Sequence, residues 1–136
     1  MDYVYVISAV GADPEFATKR SVLAAVARSV GVEPLFPLDR DPSVALERAT
    51  EDIRKAGFVV ADLSYERPSC YFELGLAEAT GVDVGIIAKV GTPIHQVGYA
   101  SHVSFYRDMD DYRRVVHRLL DAKFATDSSV VADARR

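Results

Sequence analysis

The segment FVVADLSYERPSCYFELGLAEATG, residues 58–81, decides the fold because it leads from a buried strand into a helix through a short loop. Its first part, FVVADLS (58–64), is almost continuously apolar, which is typical of a strand that is buried on both faces. A helix is predicted from Pro68, a residue that is tolerated at the first helical position. The segment therefore predicts a strand followed by a helix, which is the building unit of a parallel sheet.

The rest of the chain repeats this alternation with short connections. Asp13 is predicted to cap the first helix with Pro14 at its first position, and Gly31 and Gly57 are predicted to end the first and second helices. The strand 32–38 contains two prolines and is expected near an edge of the sheet. The predicted strands are 3–8, 32–38, 58–64, 83–90 and 102–106, and the predicted helices are 12–31, 41–57, 67–81 and 108–124.

This order predicts a single α/β domain over residues 1–124, a flavodoxin- or Rossmann-like sandwich whose parallel five-stranded sheet carries helices on both faces. Residues 125–136 are small and polar enough to form a flexible C-terminal tail. Ligands of such folds bind beyond the carboxyl ends of the strands, where the strand order reverses. The loops expected to form the site are 9–13, 37–42, 63–70 and 90–98.

The composition is that of a globular chain, with 136 residues of which 49% are hydrophobic and 26% charged. The net charge is −4 and the basic residues are scattered, which argues against a polymeric nucleic acid as partner. No apolar run is long enough to span a membrane and the start lacks a basic signal segment, so we expect a cytoplasmic protein without a membrane partner. Cys70 is the single cysteine, which excludes an intramolecular disulfide and a thiolate metal cluster.

Several kinds of α/β site are missing from the sequence. There is no GxxxxGK[ST] phosphate loop, no GxGxxG turn after the first strand and no GxSxG nucleophile elbow. Ser8 and Ala9 stand where a receiver domain would carry an acidic pair. His95, His102 and His117 lack the spacing of metal ligands, so we expect no metal and no cofactor. His117 is expected on the surface, whereas His95 lies in a ligand-side loop and is a candidate substrate contact.

Polar residues gather at the carboxyl ends of the first and third predicted strands. Asp62 stands near the end of the third strand, where side chains enter the ligand crevice, and Ser64 and Arg67 follow in the loop. The free N–H groups at the start of the next helix favour a phosphate or carboxylate, and Ser69 adds a hydroxyl donor there or is a plain N-cap. The candidate site residues from these two strand ends are Tyr5, Ser8, Asp62, Ser64, Arg67 and Ser69.

Glu73 is the most informative residue of the helix that follows. We expect it in the first helical turn, where a carboxylate stabilises a helix by about 0.3–1 kcal/mol through the helix dipole. Its neighbours Tyr71, Phe72 and Leu74 are large and apolar or aromatic. A carboxylate among apolar groups has a perturbed pKa, which favours a functional Glu73 over a merely stabilising one. We include Tyr71 among the candidate substrate contacts.

The segment 58–81 resembles the signature of the nucleoside 2-deoxyribosyltransferase-like superfamily, D-x-x-x-A-D-L-[ST]-x-x-x-P-N-x-x-Y-E-L-G-x-A. This superfamily includes deoxyribosyltransferases, 2′-deoxynucleoside 5′-phosphate N-hydrolases and CMP or hydroxymethyl-CMP hydrolases, and it is related to TIR-type NAD-cleaving domains. A weaker similarity extends over most of the chain. The chain differs from the signature at Gly57, Ser69 and Phe72, where the usual residues are Asp, Asn and Tyr.

The resemblance implies that Glu73 is a nucleophile that attacks the anomeric carbon of a nucleoside. It also implies that Tyr5 lies near the base or the nucleophile, that Ser69 lies at a 5′-phosphate, and that Asp62 contacts the sugar or the base. Hydrolase members carry a further acid near the helix before the third strand, which protonates the leaving base. That helix here contains Glu47, Glu51 and Asp52.

The function implied by the resemblance is hydrolysis of the N-ribosidic bond of a nucleoside 5′-monophosphate, which gives a free base and (deoxy)ribose 5-phosphate. A nucleoside (deoxy)ribosyltransferase, a TIR-like cleaver of NAD or a related nucleotide, and a non-catalytic nucleotide-sensing domain stay open as alternatives. The expected partner is a small nucleoside or nucleotide. The resemblance further implies a homodimer or higher homo-oligomer, in which the loop 90–99 reaches the neighbouring pocket and gives His95 a role.

Overall fold

The computed structural model describes residues 2–37, 46–65, 67–95 and 102–125, with Leu46 described in its backbone alone. Within these residues five parallel strands form one sheet in the order β2-β1-β3-β4-β5. This arrangement confirms the predicted α/β fold, and β2 lies at an edge as its prolines predict. The strands are β1 Tyr3–Ile7, β2 Glu33–Leu35, β3 Phe58–Asp62, β4 Val84–Lys89 and β5 Ser104–Tyr106.

Helices follow the strands on both faces of the sheet. In the described part of the chain they are α1 Phe16–Ser29, α2 Leu46–Lys55, α3 Pro68–Thr80 and α4 Met109–Leu120, and α4 continues into a π-helical turn, Asp121–Ala125. His117 is exposed on α4, as predicted. No helix of the described residues is long and apolar enough to cross a membrane.

The two faces of the sheet have separate cores because side chains alternate along each strand. In β1, Val4 and Val6 pack with apolar residues of α1 and α4, whereas Tyr5 and Ile7 pack with those of α2 and α3. β3 is buried over its whole length, as its apolar run predicts. The alternation in β1 therefore directs Tyr5 toward the face that α3 covers.

A crevice forms where the strand order reverses. β1 lies between β2 and β3, so the chain continues from β1 into α1 on one face and from β3 into α3 on the other. The loops after β1 and β3 therefore diverge above the carboxyl ends of these two strands. Ligands of doubly wound folds bind at this position.

The start of α1 differs from the prediction that Asp13 caps it with Pro14 in the first turn. The helix begins at Phe16, and Glu15 is its N-cap residue. Asp13 instead accepts the backbone N–H of Glu15 at 2.8 Å and pairs with the ammonium of Lys19. The loop extends past Pro14 because this ion pair holds Asp13 ahead of the helix.

α3 begins at Pro68, as predicted, but its N-cap residue is Arg67 and no side chain caps it. The alternative role of Ser69 as the N-cap is therefore wrong, because Ser69 already belongs to the first turn. Gly81 ends α3 with a φ of 80°, and Gly31 follows α1 with a φ of 84°. Both glycines adopt the left-handed conformation that closes a helix.

Some predicted features fall outside the described residues. These are the first part of the predicted helix 41–57, most of the loop 37–42, the end of the loop 90–98, and the predicted tail after Ala125.

Candidate active site

A hydrogen bond joins Glu73 to the centre of the sheet. The phenol of Tyr5, completely buried in β1, donates to Glu73 Oε2 at 2.9 Å. Glu73 is partly buried and is the sixth residue of α3. The first turn of this helix contains no acidic residue. The expectation that Glu73 lies in the first turn is wrong, because the helix begins at Pro68. The helix dipole, which fades beyond the first turn, therefore does not explain this carboxylate.

The surroundings shift the pKa of both partners. Burial raises the pKa of Glu73 above its usual range, and the hydrogen bond from Tyr5 opposes this by favouring the carboxylate. Burial and the adjacent charge of Glu73 both raise the pKa of Tyr5, so its phenol stays protonated and remains a donor. The pair thus holds a carboxylate that is less hydrated than usual, with a fixed donor on one of its oxygens.

Glu73 faces a cleft of about 520 Å³. The loop after β1 borders the cleft, the start of α3 forms one side, and α1 with the end of β2 forms the other. The volume is within the range of about 300–1,000 Å³ that is usual for small-molecule sites. Three predicted substrate contacts, Ser8, Arg67 and Ser69, line this cleft together with Glu73.

The side of the cleft formed by α1 and the end of β2 was not singled out in the sequence. It includes Phe16, Arg20 and Phe36, with the guanidinium carbon of Arg20 4.3 Å from the centre of the Phe36 ring. The signal was weak because Phe36 directly follows a strand of only three residues, and Arg20 resembles any polar position of an amphipathic helix. Their proximity depends on β2 lying beside β1.

Asp62 lies in a buried polar network and does not border the cleft that Glu73 faces. It is 4% exposed, and its Oδ2 accepts Lys19 Nζ at 3.2 Å and the hydroxyl of Tyr106 at 2.8 Å. Its Oδ1 accepts the backbone N–H of Ser64 at 3.0 Å. The structure thus surrounds Asp62 with protein donors, and its contact with a sugar or base stays a prediction.

Lys19 is the cation of this network, buried between two carboxylates. Its ammonium lies 2.5 Å from Asp13 Oδ2 and 3.2 Å from Asp62 Oδ2. Burial by itself lowers the pKa of Lys19, but Asp62 and Asp13 outweigh burial and raise it. No local pattern indicates this role, because Lys19 lies 43 residues from Asp62.

Ser64 joins the ends of three strands. Its Oγ accepts the backbone N–H of Lys89 in β4 at 2.7 Å and lies 2.8 Å from the hydroxyl of Tyr106 in β5. Burial, followed by the charge of Asp62, raises the pKa of Tyr106. Ser64 is 1% exposed, so these contacts hold the strand ends together, and its predicted contact with substrate stays a prediction.

Tyr71 and His95 lie together, and neither is among the described residues that line the cleft. The backbone N–H of His95 donates to the hydroxyl of Tyr71 at 3.2 Å, and the two rings meet edge to face with centres 6.1 Å apart. His95 is exposed and Tyr71 partly buried. The loop after β4 thus packs on α3, while direct contact of either side chain with substrate stays a prediction.

Among the three acids of α2, Asp52 is the one that lies near the Tyr5–Glu73 pair. Asp52 is buried, and its charge helps to raise the pKa of Tyr5, whereas Glu47 and Glu51 are exposed. The hydroxyl of Tyr3 donates to the backbone carbonyl of Asp52, which fixes this turn of α2 against β1.

Two solved structures resemble this fold. The CMP N-glycosidase BcmB from Clostridium botulinum aligns with a TM-score of 0.63 and 13% sequence identity over 83% of this chain and 96% of that one. The 2-desoxiribosyltransferase from Leishmania mexicana aligns with a TM-score of 0.54 and 21% sequence identity. That alignment covers 65% of this chain, and this chain spans only 65% of the length of the transferase. No protein-family model and no curated protein matches the sequence. The chain therefore shares the α/β fold of these two structures.

Proposed function

We propose that this protein is an N-glycosidase that hydrolyses the N-ribosidic bond of a nucleoside 5′-monophosphate. The observation that carries the proposal is the Glu73 carboxylate, partly desolvated, held by Tyr5 at 2.9 Å and facing a cleft at the carboxyl end of the sheet. The fold likeness to a CMP N-glycosidase and to a 2-desoxiribosyltransferase supports the same class of chemistry.

Glu73 acts as the nucleophile. Tyr5 donates to Oε2, which orients the carboxylate so that one of its oxygens attacks C1′. As the new C1′–O bond forms, the C1′–N bond breaks and its electron pair leaves with the base, which takes up a proton. Water then attacks C1′ of the glycosyl ester, loses a proton and releases the Glu73 carboxylate with ribose 5-phosphate or its deoxy form. The two steps share an oxocarbenium-like transition state that the carboxylate stabilises.

The start of α3 supplies the phosphate site. Arg67 and Ser69 line the cleft at this end, and Ser69 lies in the first turn of the helix. The positive end of the helix dipole, a guanidinium and a hydroxyl together favour a dianionic 5′-phosphate. Binding of the phosphate there sets C1′ beside Glu73, one turn further along the helix.

Asp52 is the proton donor for the leaving base in this proposal. It is the buried acid of α2, and the family resemblance implies that an acid near this helix protonates the leaving base. Asp62 has a positioning role instead, since both its oxygens accept hydrogen bonds from protein groups. We expect Asp52→Asn to lower kcat for a natural monophosphate about 100-fold. The loss should be much smaller for a 7-methylguanine nucleotide, whose base leaves without protonation; equal losses for both would exclude Asp52 as the donor.

A transferase is the second candidate, and the likeness to the 2-desoxiribosyltransferase favours it. The first step is identical, and a second base instead of water then attacks C1′ of the ester. Adding a second, different base to the reaction separates the two functions. Appearance of a new nucleotide with that base would indicate the transferase, and free sugar phosphate alone would indicate the hydrolase.

The experiment that tests the function is a measurement of base release from a panel of nucleosides, ribo- and deoxyribonucleoside monophosphates and NAD. We expect release from a monophosphate, and a loss of about 1,000-fold or more in Glu73→Gln. Glu78→Gln is the matched control, since Glu78 is exposed on the same helix. Release from NAD alone would support the TIR-like alternative. Nucleotide binding without release from any compound would support the sensing domain and overturn the enzyme proposal.

A further inference from the structure

The buried ammonium of Lys19 connects two chain segments that lead to the cleft. The loop after β1 ends at Asp13, whose carboxylate lies 2.5 Å from Lys19 Nζ. The backbone N–H of Asp13 donates to the carbonyl of Ala9, a residue that lines the cleft, at 2.9 Å. Asp62, at the end of β3, lies 3.2 Å from the same ammonium. One cation thus holds the loop after β1 against the strand that leads to the start of α3.

The ring of Tyr65 extends this connection into the loop after β3. Its centre lies 5.9 Å from Lys19 Nζ, within the range of a cation–π contact, and the rings of Tyr106 and Tyr112 lie at 5.0 and 5.9 Å. Tyr65 is 42% exposed, whereas Lys19 is 4% exposed. The ring therefore lies at the surface over a cation that is itself shielded from water.

The backbone of Tyr65 has an unfavourable conformation. Its φ is 54°, and among the described residues other than glycine it alone has a positive φ. Bulky side chains rarely adopt this left-handed conformation, which glycine and asparagine tolerate. Such a conformation persists where the surrounding structure holds the residue, and it is found most often at functional sites. The turn lies two residues before Arg67, the N-cap residue of α3.

We propose that Lys19 and Tyr65 are positioning residues that set the distance between the loop after β1 and the start of α3. Neither is among the described residues that line the cleft, so they act through the segments that they hold. Those segments carry Ala9 on one side and Arg67 and Ser69 on the other. The inference rests on the proposed function, because that function brings a 5′-phosphate to Arg67 and Ser69.

This role predicts an effect on substrate binding with little effect on the chemical step. A shift of the start of α3 changes the contacts of the phosphate, whereas Glu73 stays held by Tyr5 from β1. Loss of contacts that are equally strong before and during the reaction raises KM and leaves kcat unchanged. A nucleoside has no phosphate to misplace, so its KM should change little.

The test compares KM and kcat for the preferred monophosphate and its nucleoside in variants of Tyr65. Tyr65→Phe keeps the ring, whereas Tyr65→Asn tolerates the same backbone conformation and lacks the ring. We expect Tyr65→Asn to raise KM for the monophosphate about 5- to 20-fold, with changes below about twofold in KM for the nucleoside and about threefold in kcat. Tyr65→Phe should match the wild type within about twofold. Phe105→Asn is the control, since Phe105 is similarly exposed, at 45%, but lies on β5.

Thermal unfolding separates a positioning role from a merely structural one. Tyr65→Asn and Tyr65→Gly relieve the strained turn, so their Tm should stay within about 2 °C of the wild type or rise. A higher KM for the monophosphate together with an unchanged Tm would support the inference. A fall in Tm of more than about 4 °C, with equal rises in KM for the monophosphate and the nucleoside, would overturn it.

Asp13→Asn tests whether the two segments are held as one unit. This variant weakens the contact of Lys19 with the loop after β1 and leaves Asp62 as its counter-ion. It should also raise KM for the monophosphate, and adding Tyr65→Asn should raise KM less than about twofold further, because both changes break the same connection. A double variant whose effect is the product of the two single effects would show that they act independently and would overturn the inference.

Calorimetry in Glu73→Gln separates this inference from the proposed function, because it measures binding of each monophosphate and its nucleoside without turnover. Tighter binding of a monophosphate than of its nucleoside, with a difference that Tyr65→Asn removes, would support the inference even if the wild type releases no base. Equal affinity for the two compounds would overturn it. Base release with an unchanged KM in Tyr65→Asn would support the enzyme and overturn the inference.

Discussion

At the scale of single residues, the hydrogen bond from Tyr5 sets the pH dependence of the proposed reaction. Burial raises the pKa of Glu73 and this bond lowers it, so removing the hydroxyl leaves only the raising effect. The nucleophile must be ionised, and activity therefore falls as pH decreases through the pKa of Glu73. We expect the acidic limb of kcat/KM against pH to move to higher pH in Tyr5→Phe, by about one pH unit, because one hydrogen bond to a charged group contributes about 1.5–3 kcal/mol at most.

Tyr3→Phe is the matched control for this shift. Tyr3 lies two residues earlier on β1, and its hydroxyl donates to the backbone carbonyl of Asp52. The acidic limb of kcat/KM in Tyr3→Phe should stay close to that of the wild type. If the acidic limb of kcat/KM in Tyr5→Phe does not move, or moves to lower pH, the assignment of that limb to Glu73 is contradicted.

The raised pKa of Glu73 also predicts a stability effect with a definite sign. A carboxyl whose folded-state pKa lies above its unfolded value favours the folded state when protonated, and that contribution is lost as pH rises through the folded-state pKa. Glu73→Gln should therefore raise Tm at about pH 8 by about 2–4 °C. The gain should vanish below the ordinary Glu value of 4.5, where the wild type is protonated in both states. Melting curves at both pH values check this, and a Tm that is lower at pH 8 would contradict it.

Single residues also show where the sequence was insufficient. Glu73 drew attention because its neighbours are apolar, a property that can be read locally. Lys19 gave no such signal, because its meaning comes from Asp62, 43 residues away. The contact between Arg20 and Phe36 likewise has no local signal, because the two residues come from α1 and the end of β2. Contacts of this kind depend on which strands are neighbours, which local patterns do not state.

At the scale of elements, the buried charges of the Lys19 network tie α1 to the end of β3. Asp13 lies just before α1 and Asp62 at the end of β3, with the ammonium of Lys19 between them. Lys19→Met leaves two buried carboxylates without their cation, which destabilises a fold by about 3–5 kcal/mol. We expect a loss of this size in the free energy of unfolding, measured with urea.

Lys55→Met provides the comparison for this loss. Lys55 pairs with Glu51 at 2.7 Å, but both side chains are exposed, and such pairs contribute about 0–1 kcal/mol. A loss in Lys19→Met no larger than that in Lys55→Met would show that the network does not hold α1 in place.

The existence of the elements was predictable, and their starts were less so. The apolar run of β3 predicted its strand, since a run of this kind fits a strand covered on both faces. The start of α1 was placed too early because Asp13 is a good N-cap by residue type, whereas its carboxylate is held by Lys19 instead. Asp13 Oδ1 accepts the backbone N–H of Glu15 while Oδ2 pairs with Lys19, and this arrangement keeps Asp13 in the loop ahead of the helix.

At the scale of the whole molecule, the parallel sheet was predictable because alternating strands and helices admit few other arrangements. The side of the cleft formed by α1 and the end of β2 was not predictable, since it depends on the order β2-β1-β3, which brings the end of β2 and the start of α3 to the same edge. The predicted oligomer is a further property of the whole molecule, and the candidate for its interface is the outer surface of α3.

We propose that the homodimer implied by the family resemblance forms through the outer surface of α3. Phe72 precedes Glu73 there and is 55% exposed, and the loop that carries His95 packs on the same helix through Tyr71. Burying Phe72 against a second copy would explain a large apolar side chain in water beside the nucleophile. The family resemblance implies that the loop with His95 then reaches the partner's cleft.

Light scattering during gel filtration at micromolar concentration tests this interface. We expect the wild type to have twice the mass of one chain, and Phe72→Glu to have the mass of one chain with at least about tenfold lower kcat/KM. Phe105→Glu is the control, because Phe105 is similarly exposed, at 45%, but lies on the edge strand β5. A monomeric wild type would contradict the dimer, and a monomeric Phe105→Glu beside a dimeric Phe72→Glu would move the interface from α3 to the edge of the sheet.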